Sequence, residues 1–140
     1  MATLFTRIID GEIPGTFVWK DDRCVAFMSI NPLRAGHVLV VPREEVDHWL
    51  DCPPDLTSHL MEVSSTVGQA IHKVHASERV GLMIAGLEVP HLHIHLVPID
   101  SVNDLDFSNA AVSVDRESLE EEAASIRYVL TSMGAHGVSG

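Results

Sequence analysis

Residues 91–98 read His-Leu-His-Ile-His-Leu-Val-Pro and constrain this chain more than any other stretch. Histidines alternate there with apolar residues, and a period of two is typical of a β-strand. We therefore expect His91, His93 and His95 on one face of a strand, with the apolar residues between and after them in a core. Three imidazoles on one face suit two tasks, metal binding or reaction at a phosphorus centre with one ring as nucleophile.

The length and composition indicate one soluble globular domain. A chain of 140 residues with 46% hydrophobic content buries a single core. Apolar runs such as 38–41 are too short to cross a bilayer, and no long apolar stretch follows residues 1–7, so we expect neither a membrane partner nor a signal peptide. Cys24 and Cys52 are the only cysteines, which is typical of a reducing compartment and favours a cytoplasmic location.

The charge of the chain limits its partners. Twenty acidic residues against nine basic ones give a net charge of −11. Affinity for long nucleic acid comes mainly from lysine and arginine neutralising phosphates, so this class of partner is disfavoured. A small nucleotide in a pocket remains compatible with the sequence, because a few local donors suffice to bind it.

The periodicity of the sequence predicts an α+β fold with an antiparallel sheet of about five strands. The strand 37–41 does not alternate, so we expect it to be central and covered on both faces. One long helix, capped by Asp55 and continuing to about Val74, should pack on the sheet. The other expected elements are a short helix at 4–9, strands at 16–19, 24–28 and 80–84, the triad strand, a helix at about 116–133 and a frayed tail at 134–140.

A metal centre is the serious rival to phosphorus chemistry for the three histidines. Alternate strand positions hold zinc in some enzymes, usually with a further ligand from another element. No acidic residue stands at a fixed spacing that would complete such a site. His37 is the other histidine of interest, because it follows Ala35-Gly36 where a tight turn enters a strand.

These residues together resemble the histidine triad (HIT) superfamily, in particular its Hint-like branch. The resemblance rests on the segments 5–13, 22–27, 30–32, 36–42 and 89–98, which occur in the family's order and spacing. It covers roughly the first hundred residues. We therefore expect a HIT domain at 1–100, and at 101–140 a C-terminal extension of loop, helix and frayed tail packed on the same domain.

The resemblance implies a homodimer with one continuous sheet, whose two-fold interface comes from the long helix and its flanking strand. It also implies a nucleotide with its α-phosphate at the triad. His93 would be the nucleophile, His95 and His37 would contact the phosphate oxygens or leaving group, and His91 would hold neighbouring groups in register. No cofactor is required for this chemistry.

The family pattern further assigns base and ribose contacts to Phe5, Ile8, Phe27 and Ile30, although each alone is typical of ordinary core. Ser29 stands where the family usually has an aspartate that bonds the ribose hydroxyls. Leu87 stands where a glutamine usually assists at the phosphate.

The zinc ligands of many HIT proteins are also replaced. Two cysteines and a further histidine of that site correspond here to Thr3, Thr6 and Glu45. We therefore expect no metal.

Four functions follow as hypotheses. The first is hydrolysis of a purine nucleotide phosphoramidate, or a related nucleotide conjugate, through a nucleotidyl-histidine intermediate. The alternatives are a dinucleoside polyphosphate hydrolase, a purine nucleotide-binding sensor or interaction module with little catalysis, and a metalloenzyme with the triad as ligands.

Overall fold

A five-stranded antiparallel sheet organises the molecule in the computed structural model, which describes residues 2–138. The strand order is β1-β2-β3-β5-β4, and each neighbouring pair is antiparallel. The predicted α+β class and sheet are thereby confirmed. The strands are β1 (Phe17–Lys20), β2 (Cys24–Met28), β3 (Val38–Pro42), β4 (Arg79–Met83) and β5 (Ile94–Ile99).

The central strand β3 is buried along its whole length, as its unbroken apolar run predicts. Val38 and Val40 point into a core cluster shared with the long helix, and Leu39 and Val41 point into a second cluster on the opposite face. The second cluster includes Phe5, so the short N-terminal helix covers the face of the sheet that carries the histidines.

Three α-helices pack on this sheet: α1 (Leu4–Ile9), α2 (Pro54–His75) and α3 (Arg116–Ser132). The inward residues of α2 and α3 join one core cluster with the sheet, because both helices repeat apolar residues every three or four positions. Asp55 was expected to cap α2, but the capping residue is Pro53 and no side chain caps the helix. Pro54 occupies the first turn of the helix, a position that its fixed φ suits.

The triad strand begins later than its alternation predicts. Only His95 lies in β5, while His91 and His93 precede it. The ladder with β3 ends at the pair Val40–Ile94, and the N–H of Leu92 donates instead to the carbonyl of Val46 at 2.6 Å. The alternation of faces still holds through the irregular part.

The predicted frayed tail is wrong for residues 134–138, while 139–140 lie outside the described residues. Val138 forms a β-bridge with Trp19, and the N–H of Lys20 donates to the carbonyl of Gly137 at 2.8 Å. A side chain on Gly137 would collide with the Trp19 indole, so glycine is what allows the tail to lie along β1. Across residues 2–138, no helix has both the length and the apolar character needed to cross a membrane.

Candidate active site

A cavity of about 550 Å³ opens on the α1 face of the sheet. Its walls come from α1, the turn before β1, the end of β2, the triad and the segment 107–116. Most of the residues predicted for the site are brought together here. The lining includes His37, His93, His95, Phe5, Ile8, Phe27, Ser29 and Ile30.

His93 is held in one tautomer by its backbone. Its Nδ1 lies 2.8 Å from the carbonyl oxygen of His91, which can only accept a hydrogen bond. The Nδ1 therefore carries the proton in the neutral ring, and Nε2 keeps its lone pair. The ring is 6% exposed and packs edge-on against Phe5 at 4.9 Å between centroids. An oriented imidazole with a free Nε2 lone pair is a nucleophile.

His37 and His95 form a hydrogen-bonded pair of defined direction. The N–H of Leu33 donates to His37 Nδ1 at 3.0 Å, so the neutral His37 ring carries its proton on Nε2. That Nε2 lies 2.9 Å from His95 Nδ1, which must then accept. His95 consequently bears its proton on Nε2. The triad thus offers a lone pair on His93 and an N–H donor on His95, with ring centroids 4.9 Å apart.

The turn into β3 fixes the His37 ring. Gly36 has a φ of +95°, a left-handed conformation that favours glycine. His75 also lies against its Cα and leaves no room for a side chain. Two physical causes therefore favour glycine at position 36.

Burial keeps the histidine pair neutral in the ligand-free protein. Desolvation, helped by the neighbouring histidines, lowers the pKa of His37 to about 3. Desolvation and the nearby His93 lower the pKa of His95 to about 4. An imidazolium is disfavoured here until an anion enters, because a nearby negative charge raises a histidine pKa.

His91 lies beneath the cavity rather than in its lining, and it is fully buried. Its Nε2 donates to the carbonyl of Pro42 at 2.7 Å, and its Nδ1 accepts from the Thr3 hydroxyl at 2.6 Å. Burial lowers its pKa. These bonds tie the N-terminus and the end of β3 to the residue whose carbonyl orients His93, which fits the predicted positioning role.

The residues at the family's zinc position do not fit a structural zinc. Thr3 donates through its N–H to Glu45 at 2.7 Å, and its hydroxyl bonds both Thr6 and His91. Zinc takes thiolate, imidazole and carboxylate ligands, and two threonine hydroxyls are poor replacements for two thiolates. A hydrogen-bonded cluster occupies this corner, and the absence of a metal stays a prediction.

The triad itself does not converge as a ligand set. Within residues 2–138, the one group of His, Cys, Asp and Glu side chains whose donor atoms cluster tightly is Asp21, Cys24 and His59. In that group Asp21 Oδ2 already accepts from Trp19 and bonds His59. His37 and His91 use both ring nitrogens in hydrogen bonds, which disfavours the metalloenzyme hypothesis.

An apolar slot adjoins the triad end of the cavity. Phe5 and Phe27 meet edge-to-face at 5.6 Å between centroids, and Ile8 packs beside them. Ile30 lines the slot but is 61% exposed, so it forms part of the rim. Such a slot suits a flat aromatic ring.

Ser29 lies in the lining with 8% of its surface exposed. Its hydroxyl oxygen accepts the N–H of Asn31 at 3.2 Å. Ser29 directly follows β2, so it lies where that strand stops at the cavity.

Leu87 was predicted as a binding residue, but the structure places it outside this cavity. It is 94% exposed and absent from the cavity lining, where its neighbours Glu88 and Val89 appear instead. Leu87 follows Gly86, whose φ of +75° is a left-handed conformation that favours glycine.

Sequence reasoning missed the wall formed by residues 107–116. Phe107 packs against His95 at 5.2 Å between centroids, and Arg116 lines the cavity from the start of α3. Asn31 Nδ2 fixes this segment by donating to the carbonyls of Ala111 and Val112 at 3.1 and 2.9 Å. Nothing periodic marks the segment in the sequence, so no local signal pointed to it.

Comparison with known proteins identifies the family of this chain. A model of the HIT domain matches residues 10–102. The chain belongs to the HIT family. An uncharacterized HIT-like protein of Methanocaldococcus jannaschii is 36% identical over 104 residues, which are 68% of this chain and 77% of the relative. A protein from Arabidopsis thaliana named adenylylsulfatase HINT3 is 30% identical over 122 residues, 84% of this chain and 60% of the relative.

Solved structures of HIT proteins share the fold. A hypothetical histidine triad nucleotide-binding protein of Sulfolobus tokodaii superimposes with a TM-score of 0.81 at 25% identity, covering 92% of each chain. A Hit-like protein of Bartonella henselae gives a TM-score of 0.80 at 27% identity, covering 90% of this chain and 94% of its own. The likeness to both extends past residue 102, so the C-terminal part belongs to the shared architecture in these neighbours.

Proposed function

We propose that the protein hydrolyses purine nucleoside 5′-phosphoramidates or related nucleotide conjugates through a nucleotidyl-histidine intermediate. The observation that carries this proposal is the tautomer pattern of the triad. His93 presents a lone pair and His95 an N–H in one cavity, beside an apolar slot large enough for a base. A nucleophile and a donor side by side are the parts that a two-step displacement needs.

In the first step His93 Nε2 forms a bond to the α-phosphorus, and the bond from phosphorus to the leaving nitrogen breaks. The anionic phosphate raises the pKa of His95 on binding, so the complex takes up one proton from solvent at His95 Nδ1. That proton replaces the bond from His37 Nε2, whose N–H then donates to a phosphate oxygen. The leaving nitrogen receives the electron pair of the broken bond and a proton from His95 Nε2, and departs as an amine. His91 O stabilises the charge that develops on His93 through its bond to Nδ1.

In the second step water attacks the same phosphorus. The bond from phosphorus to His93 Nε2 breaks, and its electron pair returns to the ring. The proton lost by water goes to His95, which restores the donor for the next cycle. Because the bond from His93 Nδ1 to the carbonyl of His91 already orients the nucleophile, little ordering of that ring is needed during the reaction.

A substrate panel tests the proposal. We expect wild type to hydrolyse an adenosine 5′-phosphoramidate with a fluorescent amine, and His93→Ala to lose this turnover while still binding AMP. His48→Ala is a matched control, since His48 is exposed and outside the cavity. Full activity in His93→Ala would refute the mechanism.

The same panel separates the leaving groups. It should include a dinucleoside polyphosphate, because that alternative shares the triad chemistry. It should also include adenylyl sulfate, because one relative is named an adenylylsulfatase. AMP binding without turnover on any conjugate would favour the sensor or interaction module over the hydrolase.

We further propose that no metal cofactor is needed. Untagged protein treated with a chelator and then freed of it should keep its activity with negligible zinc content. Loss of activity that zinc restores would contradict this.

A homodimer with a continuous sheet is part of the proposal. The outer strand β4 is paired on one side only by β5, and Leu82 on β4 and Met61 on α2 are 42% and 49% exposed. An apolar strand edge beside an apolar helix face favours pairing with a second copy. Light scattering at micromolar concentration should give twice the mass of the chain, and a monomer would contradict it. We expect the partners to be small nucleotides in the cytoplasm, with no long nucleic acid and no membrane.

A further inference from the structure

Arg116 is the only lysine or arginine that lines the described cavity. Its Nη1 donates to the Thr16 hydroxyl at 2.8 Å. Arg23, Arg34 and Arg127 each pair with a carboxylate among residues 2–138. The other arginines there, Arg7, Arg43, Arg79 and Arg116, pair with none, and of these four only Arg116 lines the cavity. In a chain of net charge −11, an arginine without a carboxylate partner at a cavity wall points to an anionic ligand group.

The position of Arg116 indicates which part of a nucleotide it would meet. Thr16, which accepts the Arg116 bond, also accepts the N–H of Met28 through its carbonyl at 2.8 Å. The guanidinium is therefore anchored beside the end of β2, where Ser29 enters the cavity lining. The triad that would hold the 5′-phosphate comes from a different strand, β5, and the segment before it.

We infer that the cavity binds nucleotides that carry a second phosphate on a ribose hydroxyl, with Arg116 and Ser29 as its recognition residues. This inference rests on the proposed function, since it places the first phosphate at the triad. A carboxylate at the ribose binds free hydroxyl groups and repels a phosphate, while an arginine accepts the phosphate. Ser29 is neutral and Arg116 is cationic, which is the combination that a phosphorylated ribose requires.

Hydrogen bonds fix the backbone around Arg116. Asp115 caps α3 by accepting the N–H of Ser118 at 2.8 Å, and the N–H of Ala111 donates to the carbonyl of Pro32 at 3.0 Å. With the two bonds from Asn31, these contacts fix the backbone on which Arg116 stands. A guanidinium offers five donors, so the single bond to Thr16 leaves a forked face for phosphate oxygens.

Binding measurements with three ligands test this inference. Calorimetry would compare 5′-AMP with adenosine 2′,5′-bisphosphate and adenosine 3′,5′-bisphosphate, which also identifies the hydroxyl concerned. We expect one bisphosphate to bind wild type about tenfold or more tightly than 5′-AMP. In Arg116→Gln the ratio of the two affinities should fall to about one, and Arg116→Lys should retain part of it.

Arg127→Gln is the matched control. It lies on the same helix, removes the same charge and does not line the cavity, so it should keep the wild-type ratio. Arg116 is exposed, and an unchanged melting temperature will show that its variants fold. Equal affinities for all three ligands in wild type would overturn the inference and leave the proposed function standing. An equal loss of affinity for all three ligands in Arg116→Gln would likewise overturn the inference and leave the proposed function standing. Failure to bind any of the three would overturn both.

Discussion

The two walls of the cavity are built differently. On the triad side the rings of His37, His91, His93 and His95 are at most 8% exposed, and each is hydrogen-bonded on at least one nitrogen. On the C-terminal side Phe107 is 44% exposed, and Arg116 has one neutral partner. The first wall is organised before any ligand binds, whereas the second has hydrogen-bond donors and aromatic surface available to a ligand.

This difference separates chemistry from recognition. A rigid, hydrogen-bonded wall supplies positioned reacting groups, and its disruption should act on kcat. An open wall offers contacts that strengthen with a suitable ligand, and its disruption should act on KM and on substrate preference. Substitutions on the two walls can therefore test whether the division is real.

The largest effect is expected at the two reacting rings. His93→Ala should lower kcat by roughly 10⁴-fold or more, because the nucleophile is lost. His95→Ala should lower kcat by about 10²–10⁴-fold, because a proton donor is lost. Its defect should shrink for an arylamine of low basicity, which leaves without protonation, and measurement over a series of amines checks this. An equal defect across the series would assign His95 a role other than acid.

Loss of His37 should have a smaller effect, since it acts on His95 by positioning. His37→Ala removes the donor to His95 Nδ1 and leaves the N–H of Leu33 without its partner, at a cost of about 1–3 kcal/mol in free energy of unfolding. The pH profile of kcat should shift because His95 loses this bond. His37→Gln retains an amide donor and should restore part of the profile, which a purely structural role would not predict.

A pH dependence of stability should follow from the buried pair. The folded-state pKa values of His37 and His95 are about 3 and about 4, below the ordinary value of 6.5. The unfolded chain therefore binds more protons between these values, and stability is full above pH 6.5 and lost as the pH falls below it. We expect each ring to lower the free energy of unfolding by about 1–2 kcal/mol as the pH falls from 6.5 to 5. Urea denaturation at both pH values, in wild type and His95→Asn, measures this. A wild type equally stable at both would contradict the burial argument.

Sequence predicted most of the triad wall and little of the other one. The alternation of histidines and the Gly36-His37 turn are local patterns in the sequence, so His37, His93 and His95 could be named beforehand. The late start of β5 depends on where its partner strand stops, which alternation does not encode. Phe107 and Arg116 belong to a segment that Asn31 bonds from some eighty residues away, and no local pattern records such a contact.

The smallest effect, and the one that sharpens the comparison most, is expected at Phe107. Its ring meets His95 edge-on at 5.2 Å, and aromatic contacts of this kind contribute about 0.5–1.5 kcal/mol. Phe107→Ala removes the aromatic face next to the donor ring, and loss of one such contact with the bound amine should raise KM by roughly two- to tenfold with kcat nearly unchanged. Phe107→Leu keeps apolar volume, so its KM should lie between those of wild type and Phe107→Ala. The measurement is kcat and KM on bulky and small amine conjugates, where a bulky aromatic amine should lose the most. A fall in kcat comparable to that of His95→Ala would show that Phe107 orients the donor ring, and the division between the two walls would then fail at this residue.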